Sequence, residues 1–207
     1  MKKLFLLLAL AVASHFPAVA QQGAAELARK EINQTASRIK SLQCDFVQTK
    51  HLKMLSDKFV SRGRMYYQQG NKLRWEYTAP YTYTFVLDGT KVVLRNAQRR
   101  DVIDVNRNKM FREIVRIMMN SVVGKCLSDD KSFKTSIAVS STEYVATMLP
   151  LRKDLSQMFQ KIVLRFNRKQ AVVSQVELYE KNGDKTIIEL KNVKTNVPLP
   201  ASVFSVR

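Results

Sequence analysis

The 207-residue sequence predicts a mainly β fold with α-helices, in which about ten or eleven antiparallel strands accompany an N-terminal helix and a mid-chain helix. Three observations indicate this class. Short β-branched and aromatic runs alternate polar with apolar positions, turn residues separate them at short intervals, and only two mature segments have helical periodicity. Because a sheet of so many strands tends to curl, its concave side needs a cover of apolar helix faces. We therefore expect an apolar cavity under a helical lid, suited to a hydrophobic ligand.

The N-terminal segment has the arrangement of a signal peptide. Two lysines precede an apolar run at residues 4–12, and the small residues Ala18 and Ala20 end the segment. The run is shorter than the roughly 20 apolar residues of a transmembrane helix. We expect residues 1–20 to be removed, leaving residues 21–207 as one exported, soluble domain without a lipid anchor.

The first predicted element of that domain is a helix over residues 24–42. Apolar residues such as Ala28, Ile32 and Ile39 form a single stripe, and charged residues occupy the other side. Strands follow it, with Asn182-Gly183 as the clearest hairpin turn. The predicted strands are 44–48, 58–67, 73–77, 83–87, 92–94, 133–139, 143–149, 160–167, 171–180 and 184–193.

The mid-chain helix, predicted over residues 109–123 with Gly124 as its stop, is apolar on far more than one stripe. Such a helix is buried on most sides or covers an apolar surface that is sometimes empty. Methionines adapt to variable ligands, and aromatic residues can line a cavity. Ordinary core packing is the alternative for every one of them. The candidate cavity and lid residues are Phe46, Met65, Trp75, Phe85, Met110, Ile114, Met118 and Met119.

Basic residues are in large excess, with 35 Lys and Arg against 17 Asp and Glu and a net charge of +18. Removal of Lys2 and Lys3 with the leader gives 18 − 2 = +16. In an exported protein, which meets little nucleic acid, this charge favours anionic lipid head groups or acidic partner surfaces. The basic residues are scattered, so an ordinary solvated surface remains an equal alternative.

Nothing in the sequence indicates catalysis or a cofactor. His51 is the only histidine after the leader, it follows a strand end, and the acids show no paired spacing for acid–base chemistry. No phosphate-binding loop or zinc-ligand spacing occurs. Cys44 and Cys126 are the only cysteines, and the sequence leaves open whether they form a disulfide or are two small buried hydrophobes.

Short motifs spread over nearly the whole mature chain resemble those of the periplasmic carriers of outer-membrane lipoproteins, the LolA type. The motifs are Cys44-Asp45-Phe46-Val47-Gln48, Gly63, Lys72-Leu73-Arg74-Trp75-Glu76-Tyr77-Thr78-Ala79-Pro80, Phe85-Val86-Leu87-Asp88-Gly89, Met148-Leu149-Pro150, Val176-Glu177-Leu178, Gly183-Asp184-Lys185-Thr186-Ile187-Ile188, Leu190-Lys191-Asn192-Val193, Asn196 and Val203-Phe204. The resemblance implies an incomplete, unclosed β-barrel capped by helices, which holds lipoprotein acyl chains in a hydrophobic cavity. It also implies a monomer in the periplasm that collects lipoproteins from an inner-membrane ABC-type release complex and delivers them to an outer-membrane acceptor.

One departure from the family pattern bears on the lid. An arginine just ahead of the tryptophan strand helps to close the lid in the best-known branch, whereas here that position falls near Gln69 and the nearest arginine is Arg64. Two alternatives to a lipoprotein carrier therefore remain. One is a carrier of another amphiphile, such as a glycolipid or lipid-linked pigment, and the other is an envelope scaffold protein that transports nothing.

Overall fold

A single antiparallel sheet of eleven strands, accompanied by three α-helices, forms the part of the chain that is described here. The computed structural model describes residues 16–55, 57–107 and 109–205, without the side chains of residues 16–20, 109–111 and 114. The elements are α1 (Phe16–Arg38), β1 (Ser41–His51), β2 (Lys58–Gln68), β3 (Lys72–Ala79), β4 (Tyr83–Asp88), β5 (Lys91–Arg95), β6 (Arg100–Asp104), α2 (Lys109–Val123), β7 (Phe133–Val139), β8 (Glu143–Pro150), α3 (Lys153–Met158), β9 (Phe159–Asn167), β10 (Val172–Glu180) and β11 (Lys185–Thr195), with short 3₁₀ turns at Val105–Arg107, Lys125–Ser128 and Ala201–Phe204.

The strands follow the order β6-β5-β4-β3-β2-β1-β11-β10-β9-β8-β7, so the first and last strands of the chain pair at the centre. The order ends at β6 and β7, and the sheet is therefore open. Register shifts interrupt the β1–β11, β2–β3 and β9–β10 pairs. Because each β-bulge bends its strand and increases the local twist, these shifts help the sheet to curl. The predicted fold class, a curled and unclosed antiparallel sheet with helices over its concave face, is confirmed.

Several local predictions are confirmed as well. Leu73 and Trp75 share the buried face of β3, as the alternation indicated. Asn182 and Gly183 form the β10–β11 turn, with Gly183 at φ +92°, where glycine avoids a steric penalty. The mid-chain helix ends at Val123, and Gly124 follows it in the left-handed conformation at φ +80°.

The helix predicted over residues 24–42 is wrong at its C-terminal end. Helix α1 ends at Arg38, and Leu42 belongs to β1, where it pairs with Tyr67 and Thr195. Leu42 fits the helical period and also the alternation that continues in the strand. The helical pattern therefore assigned it to the helix, although it belongs to the strand. The helix also begins earlier than predicted, at Phe16. The expected leader therefore overlaps α1, and its residues 1–15 lie outside the described part of the chain.

Strand β6 and helix α3 were not predicted. The sequence of β6 carries charges at Arg100, Asp101 and Asp104, and the strand forms an edge of the sheet, where polar side chains reach water on either face. Helix α3 has six residues, too few for a helical period to be visible. This short helix is important for the site below.

The outer face of the sheet carries a compact charged cluster around Glu177, whose side chain is only 5% exposed. Its carboxylate accepts hydrogen bonds from Arg165 Nε at 2.9 Å and Tyr179 Oη at 2.8 Å, and Lys185 Nζ lies 2.9 Å away. Burial by itself raises the pKa of Glu177, but these three donors outweigh it and lower the pKa to about 2. The cluster therefore ties β9, β10 and β11 together on the side opposite the concave face.

We expect Glu177→Gln to destabilise the protein at neutral pH by about 2–3 kcal/mol, because the charged acceptor of Arg165, Gln175, Tyr179 and Lys185 is lost. A group whose pKa falls on folding contributes stability above its unfolded pKa, here 4.5, and loses it as the pH falls towards about 2. Urea unfolding from pH 7 to pH 3 should therefore show the two proteins converging as the pH falls. A constant difference over that range would contradict the assignment.

Candidate functional site: an apolar cavity beneath two helices

The concave side of the sheet and two helices line a cavity of about 410 Å³, which is partly open to solvent. This volume lies in the range of ligand pockets, roughly 300–1,000 Å³. The lining side chains are predominantly apolar and come from six strands and from α2 and α3. They are Gln48, Lys50, Trp75, Tyr77, Tyr83, Phe85, Phe159, Ile162, Val176, Leu178, Thr186, Ile188 and Leu190 on the sheet, with Ile117, Met118, Ser121, Val122, Leu155 and Met158 on the helices.

An aromatic layer forms one wall of the cavity. Trp75 and Phe85 lie opposite each other in the β3–β4 register, and both line the cavity. Phe46 and Met65 lie in the layer beneath, at 1% and 0% exposure, and are not on the wall. The Phe46 ring is centred 4.4 Å from that of Trp75, and Met65 pairs with Trp75 across β2 and β3. The tryptophan ring is thus held from behind by tight packing.

Helix α2 forms the lid over this wall. Ile117, Met118, Ser121 and Val122 recur at spacings that put them on one helix face, and that face lines the cavity. Met119 points elsewhere and is buried in the core at 9% exposure. Of the predicted lid methionines, Met118 thus lies on the cavity wall and Met119 lies behind it. The side chains of two further predicted lid residues, Met110 and Ile114, lie outside the described residues.

The wall is electrically neutral in its interior. Burial raises the pKa of Tyr77, whose hydroxyl donates to Gln48 Oε1 at 2.9 Å, so the phenol stays protonated at neutral pH. Among the described lining residues Lys50 alone is charged, and its ammonium group lies 3.6 Å from Glu180 Oε1. The Lys50 side chain is 38% exposed, which places this part of the wall in contact with solvent. Such a cavity can accept uncharged hydrocarbon.

The lid is joined to its surroundings by an ionic cluster that sequence reasoning did not find. Glu113 Oε2 accepts from Arg116 Nε at 3.0 Å, on α2 itself, and from Arg152 Nη1 at 2.9 Å, next to α3. Arg116 Nη1 also donates to Asp129 Oδ2 at 2.6 Å. Burial alone raises the pKa of Asp129, but hydrogen bonds led by that from Arg116 lower it below its usual range. We call Glu113, Arg116, Asp129 and Arg152 the lid latch.

Gln69, at the position of the family arginine, is not part of this latch. Its side-chain Nε2 donates to the carbonyl oxygen of Ile39 at 2.9 Å, and its backbone N–H donates to the carbonyl oxygen of Lys40 at 2.8 Å. Both bonds join the β2–β3 turn to the connection between α1 and β1. Arg64 faces Asp45 at 3.9 Å on the exposed side of the sheet. Among the described contacts, neither Gln69 nor Arg64 makes a hydrogen bond or ion pair with α2.

The two cysteines are free thiols, each buried among apolar neighbours. Burial raises the pKa of both Cys44 and Cys126 to about 12, so both stay protonated at neutral pH. Because the thiolate is the reactive form, neither residue is an available nucleophile in this conformation.

Much of the remaining wall was missed at the sequence level. Leu155 and Met158 belong to the unpredicted α3, while Val176, Leu178 and Ile188 belong to predicted strands. Strand alternation does put these last three on the inner face. It cannot show whether an inward side chain meets another side chain or an empty volume, because both positions require an apolar residue.

The family model for the outer membrane lipoprotein carrier protein LolA matches residues 37–207, which include every strand of the sheet. The chain belongs to the LolA family. A curated relative, an outer-membrane lipoprotein carrier protein of Legionella pneumophila (strain Corby), is 28% identical over 208 residues, which cover 99% of this chain and 94% of that relative. This LolA-family chain is therefore similar to that relative from end to end. Among the described residues, no helix is both long and apolar enough to cross a membrane.

Solved structures share the fold at much lower identity. An uncharacterised conserved protein of Thermus thermophilus aligns with a TM-score of 0.54 and 8% identity, over 88% of this chain and 93% of that one. MucB in the Pseudomonas aeruginosa MucA/MucB complex aligns with a TM-score of 0.51 and 11% identity, over 87% of this chain and 61% of that one. At these identities the likeness concerns the fold alone.

Proposed function

We propose that this LolA-family chain is a periplasmic carrier, which binds lipoprotein acyl chains in the cavity and carries them from the inner to the outer membrane. The observation that carries the proposal is the cavity of about 410 Å³, walled by apolar side chains and covered by a helix, in a member of a lipoprotein-carrier family. An inner-membrane ABC-type release complex would be the donor and an outer-membrane protein the acceptor. The leader predicted at residues 1–20 provides the route of export.

The energetics of acyl transfer favour such a site. A triacylated lipoprotein exposes tens of methylenes, which at about 0.8 kcal/mol each disfavour free diffusion through water by on the order of 30 kcal/mol. A carrier must replace that contact with water by contact with apolar walls, and then release the chains again. Neutral walls and a lid held by a few polar contacts meet both needs.

We infer that the lid moves when cargo enters, because the cavity is small for several acyl chains. At about 410 Å³ it lies near the lower end of the ligand-pocket range of roughly 300–1,000 Å³, whereas a lipoprotein brings several long chains. Outward movement of α2, whose Met118 and Ile117 face the cavity, would enlarge the volume without altering the sheet. The lid latch is then the set of contacts that entry must break.

Purification of the protein from periplasm followed by mass spectrometry of the intact complex tests the proposal. We expect acylated protein in the complex, and its absence, together with failure of delipidated protein to accept a purified lipoprotein, would overturn the proposal. The small volume of the cavity also favours a second function, a carrier of a smaller amphiphile. Free lipid without lipoprotein in the same preparation would support that second function.

Ile188→Asn is expected to weaken binding of a fatty-acyl probe by about tenfold or more. Ile188 lines the cavity, and an unpaired amide against methylenes costs about 1–3 kcal/mol. Trp75 is the only tryptophan of the chain and lines the same cavity, so its fluorescence reports the binding.

The matched control for that variant is Ile187→Asn, at the neighbouring position of β11, which faces the other side of the sheet. We expect probe affinity within about twofold of the parent, since the amide there does not meet the ligand. Equal losses in both variants would mean that the cavity is not the acyl site.

A further inference from the structure

The exposed apolar side chains of this protein are unevenly distributed. Eight large hydrophobic residues in the described part of the chain are exposed, and six of them lie in or beside the connections at one end of the sheet. Met54 is 96% exposed and Tyr81 is 81% exposed. We call this set the apolar rim. Its members are Met54, Leu55, Phe59, Tyr81, Leu149 and Leu151.

The strand register places these connections around the cavity. His51 at the end of β1 pairs with Lys58 at the start of β2 and with Lys185 at the start of β11. The β3–β4 and β10–β11 turns and the β8–α3 connection are at the same end, because each neighbouring pair of strands is antiparallel. The partly exposed wall residue Lys50 is directly opposite Phe59. The apolar rim thus surrounds the end of the sheet at which the cavity wall meets solvent.

Lysines without acidic partners are interspersed with the rim. Lys53, Lys58, Lys153 and Lys181 are exposed at this end and make no ion pair within the described residues. The acids nearby are mostly engaged, with Glu180 and Asp184 facing Lys50 and Asp154 facing Arg152. Asp57 is the exception. This end therefore carries an excess of positive charge around exposed apolar groups.

The connections that carry the rim are held against one another. The backbone N–H of Lys53 donates to Asp184 Oδ1 at 3.0 Å, and the Lys53 stem packs over Gly183. Lys53 of the β1–β2 connection is therefore held against the β10–β11 turn.

We propose that the apolar rim and its lysines dock this protein on the surface of an anionic phospholipid bilayer, with the cavity end towards the membrane. Apolar side chains enter the boundary between head groups and acyl chains, while lysines interact with lipid phosphates. Six separate apolar side chains with cations between them match such a layered surface. This docking goes beyond the proposed cargo and stands whether the cavity holds a lipoprotein or another amphiphile.

Vesicle flotation tests the docking directly. The purified protein should float with vesicles of phosphatidylcholine and phosphatidylglycerol, and more weakly with phosphatidylcholine alone or at raised salt. The double variant M54S/L55S should lose about tenfold or more in affinity for the anionic vesicles, because two of the six apolar anchors are removed. The triple variant K53S/K58S/K181S should lose at least as much affinity for the anionic vesicles, because three of the cations at this end are removed.

The chain offers matched controls for both variants. L27S/V102S removes the other two of the eight exposed large hydrophobic side chains of the described residues, which lie outside the rim, on α1 and β6. K30S/K169S/K194S removes the same amount of charge from α1, from the β9–β10 turn and from the far end of β11. We expect both controls to bind vesicles within about twofold of the parent, since the rim is intact in each.

Three results would overturn the docking proposal: no binding to either kind of vesicle, unchanged binding by the rim variants, or equal loss in the controls. The last would indicate that net charge alone attracts the protein. Quenching of Trp75 fluorescence by an acyl probe, measured on the same variants, separates this outcome from failure of the cavity. Normal probe binding without vesicle binding would mean that the carrier site is real and that the rim serves no membrane contact.

Discussion

Replacing Gly63 with alanine is expected to lower the free energy of unfolding by about 3 kcal/mol or more, the upper range for overpacking of a tight core. A Cβ at this position would collide with the backbone carbonyl of Glu76 and would lie 2.5 Å from Cζ of Phe46. Gly63 lies on β2 opposite Phe46 of β1, at the register shift with β3. Since a carbonyl in a paired strand has little room to move, the clash could be removed only if β2 and β3 shifted relative to each other.

Displacement of Phe46 by this alanine would also reach the cavity. Its ring supports Trp75, at a centroid distance of 4.4 Å, and Trp75 is on the wall. We therefore expect the Trp75 emission of folded Gly63→Ala to differ from that of the parent. Urea unfolding followed by the same fluorescence gives the loss of stability.

Gly23→Ala is the matched control for that substitution. Gly23 lies in α1 with nothing within 4 Å of an added Cβ, and alanine favours a helix over glycine by up to about 1 kcal/mol. Equal stability is expected, or a slight gain. If Gly63→Ala were as stable as this control, the close approach of Phe46 and Glu76 to β2 would be refuted.

Glu113→Gln is expected to release the lid and to speed the loss of a bound acyl probe by about tenfold. The carboxylate accepts hydrogen bonds from Arg116 on α2 and from Arg152 beside α3. A hydrogen bond to a charged group contributes about 1.5–3 kcal/mol, and partial exposure of both arginines lowers that value to roughly 1–2 kcal/mol. Stopped-flow mixing of the loaded protein with an excess of empty acceptor vesicles, followed by Trp75 fluorescence, measures the release rate.

Asp154→Asn provides the control for the lid latch. Asp154 also accepts from Arg152, at 3.1 Å to Oδ1, but it lies in α3 and is not bonded to α2 among the described contacts. Release from this variant should match that of the parent. Equal acceleration by both substitutions would place the effect on Arg152 alone, and no acceleration by Glu113→Gln would mean that the latch does not hold the lid.

The strands were predictable because the alternation of apolar and polar residues in each strand shows which of its faces is buried. Leu73 and Trp75 alternate with charged residues, and turn residues such as Asn182 and Gly183 mark where the chain reverses. An alternating strand needs no distant partner to be recognised. Strand β6 and helix α3 lacked such a pattern. Strand β6 is an edge strand, which tolerates charge on both faces, and α3 makes less than two helical turns.

The sequence by itself determined the fold class and the inward face of most strands, since local periodicity depends only on which side of each element meets water. Only the tertiary structure decided which inward residues face a cavity, because wall and core demand the same apolar side chains. It put Trp75, Phe85 and Met118 on the wall and Phe46, Met65 and Met119 behind it. The lid latch likewise joins residues 39 positions apart, from Glu113 to Arg152, a proximity that only folding of the whole sheet creates.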